Sequence, residues 1–138
     1  KTYLKTLLLL HFLKKTLEYL NSGQSLFSDQ FFTPTYIPDL AKAIEVIVSK
    51  KKRGIFHVAC SGITTPYQFG KYAAEKMKLS KRVKKHKLAE YISQSAYIPR
   101  LKYGGLLTVT TQKKLKLKFL SWREAINKFL NEIEGKSD

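Results

Sequence analysis

A loop that contains two prolines joins a strand pattern to a helix pattern in the first third of the chain. Residues 29–44 are Asp-Gln-Phe-Phe-Thr-Pro-Thr-Tyr-Ile-Pro-Asp-Leu-Ala-Lys-Ala-Ile. Each proline fixes its own φ angle, so the loop is stiff. Pro38 suits the first turn of a helix, and Asp39 favours the positive end of the helix dipole. The segment therefore predicts a rigid rim that carries small polar side chains and ends where a helix begins.

The spacing of apolar residues predicts a mixed α/β fold made of helices and a few short strands. The sequences Thr65-x-x-Gln68 and Ser121-x-x-Glu124 have the pattern of capping boxes, which mark helix starts. Residues 54–58 are mostly apolar and predict a strand that is buried in a parallel sheet. Residues 97–105 contain Pro99 and a Gly-Gly pair and predict a loop. Helices are predicted over residues 2–21, 38–53, 66–79 and 121–134, helical turns within 88–96, and further short strands over 25–28 and around Val83.

The length of the chain limits how much structure it can form. A chain of 138 residues is long enough for one domain. Because the first residue is Lys1 and not Met, we expect residues 1–138 to be a single domain or a fragment. Two or three short strands cannot make a sheet that protects its own edges. We therefore expect a further piece of protein to complete the fold, either covalently upstream or as a partner.

The charge, the apolar runs and the cysteine content bear on whether the chain binds nucleic acid, spans a membrane or binds a metal. The formal net charge is +16, but 22 of the 26 basic residues are lysines, whereas arginine is favoured for bidentate recognition of phosphates and bases. We interpret the lysines mainly as a solvated surface, and keep a field that attracts anions and a nucleic-acid interface as the less favoured alternatives. The apolar run at residues 7–13 is too short to span a membrane. Cys60 is the single cysteine, which indicates a reducing cytoplasm, and with the three histidines it shows no metal-ligand spacing.

The pattern Asp-Gln-x-x-x-Pro-Thr-Tyr-x-x-Asp-Leu-Ala-x-Ala-Ile of residues 29–44 resembles the signature of the dTDP-4-dehydrorhamnose reductase family, within the extended short-chain dehydrogenases. The closing Ser-Trp-Arg-Glu-Ala-Ile, residues 121–126, is similar to the last helix of that family. Further similar segments occur in the order of the family, at residues 2–7, 54–59, 61–69 and 99–100.

The resemblance implies that this chain is the C-terminal, sugar-nucleotide-binding portion of an extended short-chain dehydrogenase, a Rossmann-type α/β fold whose Rossmann half is missing. The parent would use NADPH or NADH to reduce the 4-keto sugar of a nucleotide-diphosphate sugar, in dTDP-rhamnose and polysaccharide biosynthesis. The missing N-terminal half would bind the cofactor and carry the catalytic tyrosine and lysine. The resemblance allows a homodimer. The substrate-binding residues that it implies are Thr2, Gln30, Thr33, Thr35, Tyr36 and Arg100.

The same residues also have a simpler interpretation. Hydroxyl groups in a proline-containing loop often satisfy local backbone groups, so Thr33, Thr35 and Tyr36 can be structural. Arg100 can be a solvated surface arginine. His57 lies within an apolar strand pattern, which is typical of a core histidine.

Two pairs in this chain match the Tyr-x-x-x-Lys motif by which short-chain dehydrogenases place their catalytic residues. They are Tyr67 with Lys71 and Tyr72 with Lys76. Both follow the signature loop and lack an upstream serine at the family spacing, so we predict no catalytic residue here. No glycine-rich phosphate turn occurs either, so we predict no cofactor-binding residue. The chain alone is therefore expected to be inactive.

Three positions depart from the family pattern. Phe32 stands where the family has glycine, Thr2 where it has asparagine, and Ile98 where it has arginine. A phenylalanine fills space that glycine leaves open for the close approach of another group. The resemblance therefore leaves two alternatives open, namely a non-catalytic regulatory or interaction module of the same fold, and a fragment of a related sugar-nucleotide epimerase or dehydratase.

Overall fold

The computed structural model describes residues 15–16, 18–19, 21–79, 83–92, 100–133 and 135. The described residues form two compact units, each built from separate parts of the chain. The first unit comprises Thr33–Gly62 and Leu106–Asp138, and the second comprises His11–Phe32 and Ile63–Gly105. The predicted mixed α/β class, with helices and few short strands, is confirmed.

Three helices lie in the described part of the first unit. They are α1 (Ile37–Ser49), α4 (Val109–Leu115) and α5 (Trp122–Ile133). The core consists of Ala43 from α1, Leu115 from α4 and Phe119, and half-buried side chains of Phe56 and Val58 pack against it. Helix α5 buries one stripe of side chains, which is typical of an amphipathic surface helix. That stripe contains Trp122, Ala125, Ile126 and Phe129.

Among its described residues, the second unit contains two parallel pairs of strands, the helices α2 and α3, and helical residues at positions 15, 16, 18, 19 and 21. Strand β1 (Ser25–Phe27) pairs with β3 (Lys84–His86), and β2 (Phe31–Phe32) pairs with β4 (Tyr103–Gly104). Helix α2 (Pro66–Lys76) buries Phe69, Gly70, Ala73 and Ala74, and α3 (Leu88–Ile92) follows β3.

Gly70 lets α2 lie close to β1. A side-chain carbon at this position would collide with the side chain of Leu26 and come within 3.1 Å of Thr16. Leu26 is itself buried, so it has little room to move away. A glycine is therefore needed where the helix crosses the strand.

The predicted helix starts agree with the structure. At α5, Ser121 N–H donates to Glu124 Oε2 (2.7 Å) and Glu124 N–H donates to Ser121 Oγ (3.3 Å), which completes a capping box. At α2, Gln68 N–H donates to Thr65 Oγ1 (3.1 Å). Both patterns succeed as predictors because the groups that bond are three residues apart.

Three predictions of local structure were wrong or incomplete. Residues 55–60 form no strand, because within the described chain this segment makes isolated hydrogen bonds and no continuous backbone ladder with a neighbouring segment. Gly104 belongs to β4 and is not a turn residue. Helix α4 was not predicted. Of the predicted helix over 2–21, the structure describes helical residues at positions 15, 16, 18, 19 and 21.

Candidate functional site

A cleft of about 740 Å³ lies within the second unit and combines aromatic side chains with cationic ones. The strand pair β1–β3 contributes to it through Phe27 and His86, whose rings lie 5.9 Å apart. Such a mixture suits a ligand that has an apolar ring and an anionic group. The side chains that bear on this argument are Lys15, Phe27, Gln30, Phe32, His86 and Arg100.

Arg100 brings a permanent positive charge to the cleft. Its guanidinium carbon lies 6.0 Å from the centre of the Phe27 ring, within the range of a cation–π contact. Lys15 lines the same cleft, while His86 Nδ1 lies 3.3 Å from Glu90 Oε2. A planar guanidinium can bind two phosphate oxygens at once, so Arg100 is suited to hold an anion.

The signature loop and the segment around Arg100 are joined by several contacts. Gln30 Nε2 donates to the carbonyl oxygen of Leu101 (3.4 Å), and Phe31 N–H donates to that of Lys102 (2.7 Å). The rings of Phe31 and Tyr103 stack at 5.5 Å, with 7° between their planes. These contacts place Gln30 and Arg100 at one cleft although the two residues are 70 positions apart in the sequence.

Phe32 occupies the position at which the family signature has glycine. Its backbone N–H and carbonyl exchange two 2.9 Å hydrogen bonds with Thr64. Its ring lies 6.2 Å from that of the buried Phe69, at 55°. The side chain thus fills one wall of the cleft and is supported from behind by α2.

The remaining predicted site residues lie elsewhere. Thr33 Oγ1 accepts a hydrogen bond from Leu106 N–H (3.0 Å), and Thr35 is half-buried in the same unit. Tyr36 is buried, and its hydroxyl donates to Glu132 Oε1 (3.1 Å). Burial, together with the nearby Glu132 carboxylate, raises the pKa of Tyr36 well above its ordinary value. Thr2 lies outside the described residues.

The structure therefore brings Gln30 and Arg100 together, and places Thr33, Thr35 and Tyr36 in the first unit. Sequence reasoning missed Lys15, Phe27 and His86. Only the strand patterns at 25–28 and around Val83 signalled that Phe27 and His86 lie on neighbouring strands. The described residues contain no group of three or more His, Cys, Asp or Glu side chains that could hold a metal ion.

Cys60 lies in the core of the first unit, with 1% of its surface exposed. Burial raises the pKa of its thiol to about 12. Because the thiolate is the reactive form, we expect the folded chain not to react with an aromatic disulfide reagent at pH 8 during minutes of incubation. The same chain in concentrated urea should release one equivalent of chromophore. Rapid reaction without urea would contradict the buried position.

Comparison with known proteins shows to which protein family this sequence is related. Residues 8–134 match the family described as the RmlD substrate binding domain. The chain belongs to this family. It is also 32% identical over 111 residues to the spore coat polysaccharide biosynthesis protein SpsK of Bacillus subtilis (strain 168). That match covers 80% of this chain and 38% of SpsK.

Solved structures of dTDP-4-dehydrorhamnose reductases share the fold. The Bacillus anthracis enzyme, solved in complex with NADP, superposes with a TM-score of 0.75 at 24% identity, over 88% of this chain and 43% of its own. The Clostridium acetobutylicum protein gives a TM-score of 0.76 at 21% identity, over 89% of this chain and 44% of its own. The RmlD-type chain described here thus spans about two fifths of the length of these relatives. Among its described residues, no helix has the length and apolar character needed to span a lipid bilayer.

Proposed function

We propose that this chain is the substrate-binding part of an NAD(P)H-dependent reductase of nucleotide-activated 4-keto sugars, similar to dTDP-4-dehydrorhamnose reductase. The observation that carries the proposal is the family match over residues 8–134. The cleft supports it, because Arg100 and Lys15 can attract a diphosphate while Phe27 and Phe32 offer apolar surface to a ring. Gln30 adds an amide for hydrogen bonds to a sugar.

In this proposal the chemistry is divided between two parts of a longer cytoplasmic protein. The part outside this chain binds NADPH or NADH, which supplies the hydride, and holds the acid that protonates the sugar oxygen. The residues described here bind and orient the nucleotide sugar. Fixing a substrate against a reactive cofactor contributes to catalysis by itself. We accordingly propose that the isolated chain binds the nucleotide sugar without turnover.

Ligand binding tests the first half of the proposal. Thermal melting of the isolated chain should shift upward with millimolar dTDP or a dTDP-sugar, because a ligand that binds only the folded state stabilises it. Titration calorimetry then gives the affinity. Absence of both the shift and a binding isotherm would contradict a cleft that works on its own.

Arg100→Ala should weaken the binding of dTDP about tenfold, because it removes a charged partner of the diphosphate, worth roughly 1.4 kcal/mol. Arg100→Lys should fall between Ala and the original residue, because it keeps the charge and loses the bidentate geometry. Lys113→Ala is the matched control, since Lys113 is exposed on α4 in the first unit. Equal loss of affinity in the control would indicate unspecific attraction by the basic surface.

Measurement of turnover tests the second half of the proposal, namely that the hydride transfer needs the part outside this chain. A fusion in which this chain replaces the matched segment of SpsK supplies the part that is missing here. With NADPH and a dTDP-4-keto sugar, the fusion should consume NADPH, and the isolated chain should not. A fusion that binds the sugar nucleotide without consuming NADPH would favour the alternative of a regulatory module.

A further inference from the structure

Residues 28–31, which run from the end of β1 into β2, hold two other segments of the second unit in place. The backbone N–H and the hydroxyl of Ser28 both donate to the carbonyl oxygen of His86, at 2.9 and 3.1 Å. Phe31 N–H donates to the carbonyl oxygen of Lys102 (2.7 Å). The first of the two held segments carries the His86 side chain to the cleft, and the second carries that of Arg100.

Asp29 fixes the turn that leads from β3 into α3. Its Oδ1 accepts a hydrogen bond from Leu88 N–H (2.8 Å), although the two residues are 59 positions apart. Leu88 is the first residue of α3 and is buried. The first N–H groups of a helix have no partner inside the helix, and a carboxylate is a strong acceptor for them. Asp29 thus ties the start of α3 to the end of β1.

The orientation of the His86 ring depends on this helix start. His86 is the last residue of β3, and its Nδ1 lies 3.3 Å from Oε2 of Glu90, a residue of α3. The same Oε2 accepts a hydrogen bond from Lys87 N–H (3.1 Å). A partner at one ring nitrogen fixes the imidazole and determines what the other nitrogen can do. The position of Glu90 relative to β3 is in turn set by the bond between Asp29 and Leu88.

We propose that Asp29 is a positioning residue of the cleft, which holds His86 through the start of α3 so that the imidazole contacts the diphosphate of a bound nucleotide sugar. This inference rests on the proposed function. An imidazole N–H, like a guanidinium N–H, can donate to a phosphate oxygen. The contacts of Gln30 and Phe31 hold the segment that carries Arg100. Four consecutive residues thus position both donors.

The sign of the effect of Asp29→Ala separates positioning from simple electrostatics. The substitution removes a negative charge next to residues that line a cleft for an anion, so charge alone would strengthen the binding of dTDP. The proposal predicts the opposite, namely binding about fivefold weaker, which is the effect of losing one hydrogen bond. Asp29→Asn removes the same charge but keeps the acceptor oxygen, and should stay within about twofold of the original chain.

Titration calorimetry with dTDP measures these affinities, at a temperature where circular dichroism shows each variant to be folded. Stronger binding by Asp29→Ala would overturn the inference. An equal loss of affinity in Asp29→Asn would also overturn it, because the acceptor oxygen would then not matter.

A double substitution tests whether Asp29 acts through His86. His86→Ala should itself weaken the binding of dTDP, and in its presence Asp29→Ala should add less than about a twofold loss. Losses that multiply would overturn the inference, because Asp29 would then act on the cleft by another route. Glu75→Ala is the matched control, since Glu75 is an exposed carboxylate of α2 in the same unit, 3.8 Å from Lys71. A similar loss in this control would also overturn the inference.

Amide hydrogen exchange in the unsubstituted chain gives a second test, which decides the matter if Asp29→Ala does not fold. Saturation with dTDP should slow the exchange of the Leu88 amide at least about threefold more than that of Met77, because a ligand held by His86 favours the closed helix start. Met77 N–H donates to the carbonyl oxygen of Ala73 (3.0 Å) at the end of α2. Equal slowing of the two amides would overturn the inference.

The two proposals fail in different ways. If neither the original chain nor the SpsK fusion binds dTDP, the proposed function is overturned and this inference with it. If the original chain binds dTDP and Asp29→Ala leaves the affinity unchanged, the positioning role alone is overturned.

Discussion

Phe69→Ala should lower the free energy of unfolding of the second unit by about 3–5 kcal/mol, the usual cost of removing a fully buried phenyl ring. Phe69 has no exposed surface and lies on α2 beside Gly70, where the helix crosses β1. Urea unfolding followed by circular dichroism measures the change.

The same substitution should also affect the cleft. Phe69 supports the ring of Phe32, which lines the cleft. The affinity for dTDP, measured under conditions where the variant is still folded, should therefore fall with the stability. Phe69→Leu is the control, because it keeps an apolar side chain and leaves a smaller cavity. A loss below about 1 kcal/mol for Phe69→Ala would contradict the packing described here.

Asp39→Ala should destabilise the first unit by about 1–3 kcal/mol, because it leaves a half-buried donor without its partner. Leu120 N–H donates to Asp39 Oδ2 (2.8 Å), and this bond joins the start of α1 to the chain before α5. Asp39→Asn keeps an acceptor oxygen and should cost less. Urea unfolding of the two variants at pH 7 distinguishes the hydrogen bond from the charge.

The charge of Asp39 has a separate, pH-dependent effect. Burial raises the pKa of Asp39 above its ordinary value, against the Leu120 hydrogen bond and the attraction of Lys128, which lower it. The folded chain therefore holds this proton more tightly than the unfolded chain does. The resulting stabilisation is complete below the ordinary pKa of aspartate and is lost as the pH rises through the raised value. Asp39→Asn should remove this pH dependence, and an unchanged pH profile would contradict it.

Local signals in the sequence predicted the helix starts well. Thr65, Ser121 and Pro38 mark the starts of α2, α5 and α1 because their contacts reach only a few residues along the chain. Helix α4 was missed because its sequence is short and rich in lysine, and Thr108 before it makes no side-chain cap. Its burial depends on Leu115 meeting Ala43 and Phe119, which a local pattern cannot show.

The residues that line the cleft also could not all be predicted from local sequence patterns. Gln30 and Arg100 were predicted from the resemblance to a family, whereas Lys15 and His86 were missed. His86 reaches the cleft only because β3 pairs with β1 in the register that puts Phe27 opposite His86. The strand predicted at 54–58 is not formed, because an apolar composition cannot show whether another segment pairs with it. The hydrogen-bonding neighbour that would make it a strand is missing on the side of Phe56 and Val58 in the described chain.

The parallel strand pairs of the second unit have a consequence for the order of folding. Ser25 pairs with Lys84 and Phe31 with Tyr103, so each contact closes a loop of about sixty to seventy residues. Contacts between distant residues slow folding, because the entropy of loop closure is lost before the contact forms. During synthesis on the ribosome, β1 must therefore wait for residues 84–86 and β2 for residues 103–104, and a nascent chain stopped before Tyr103 cannot complete this unit.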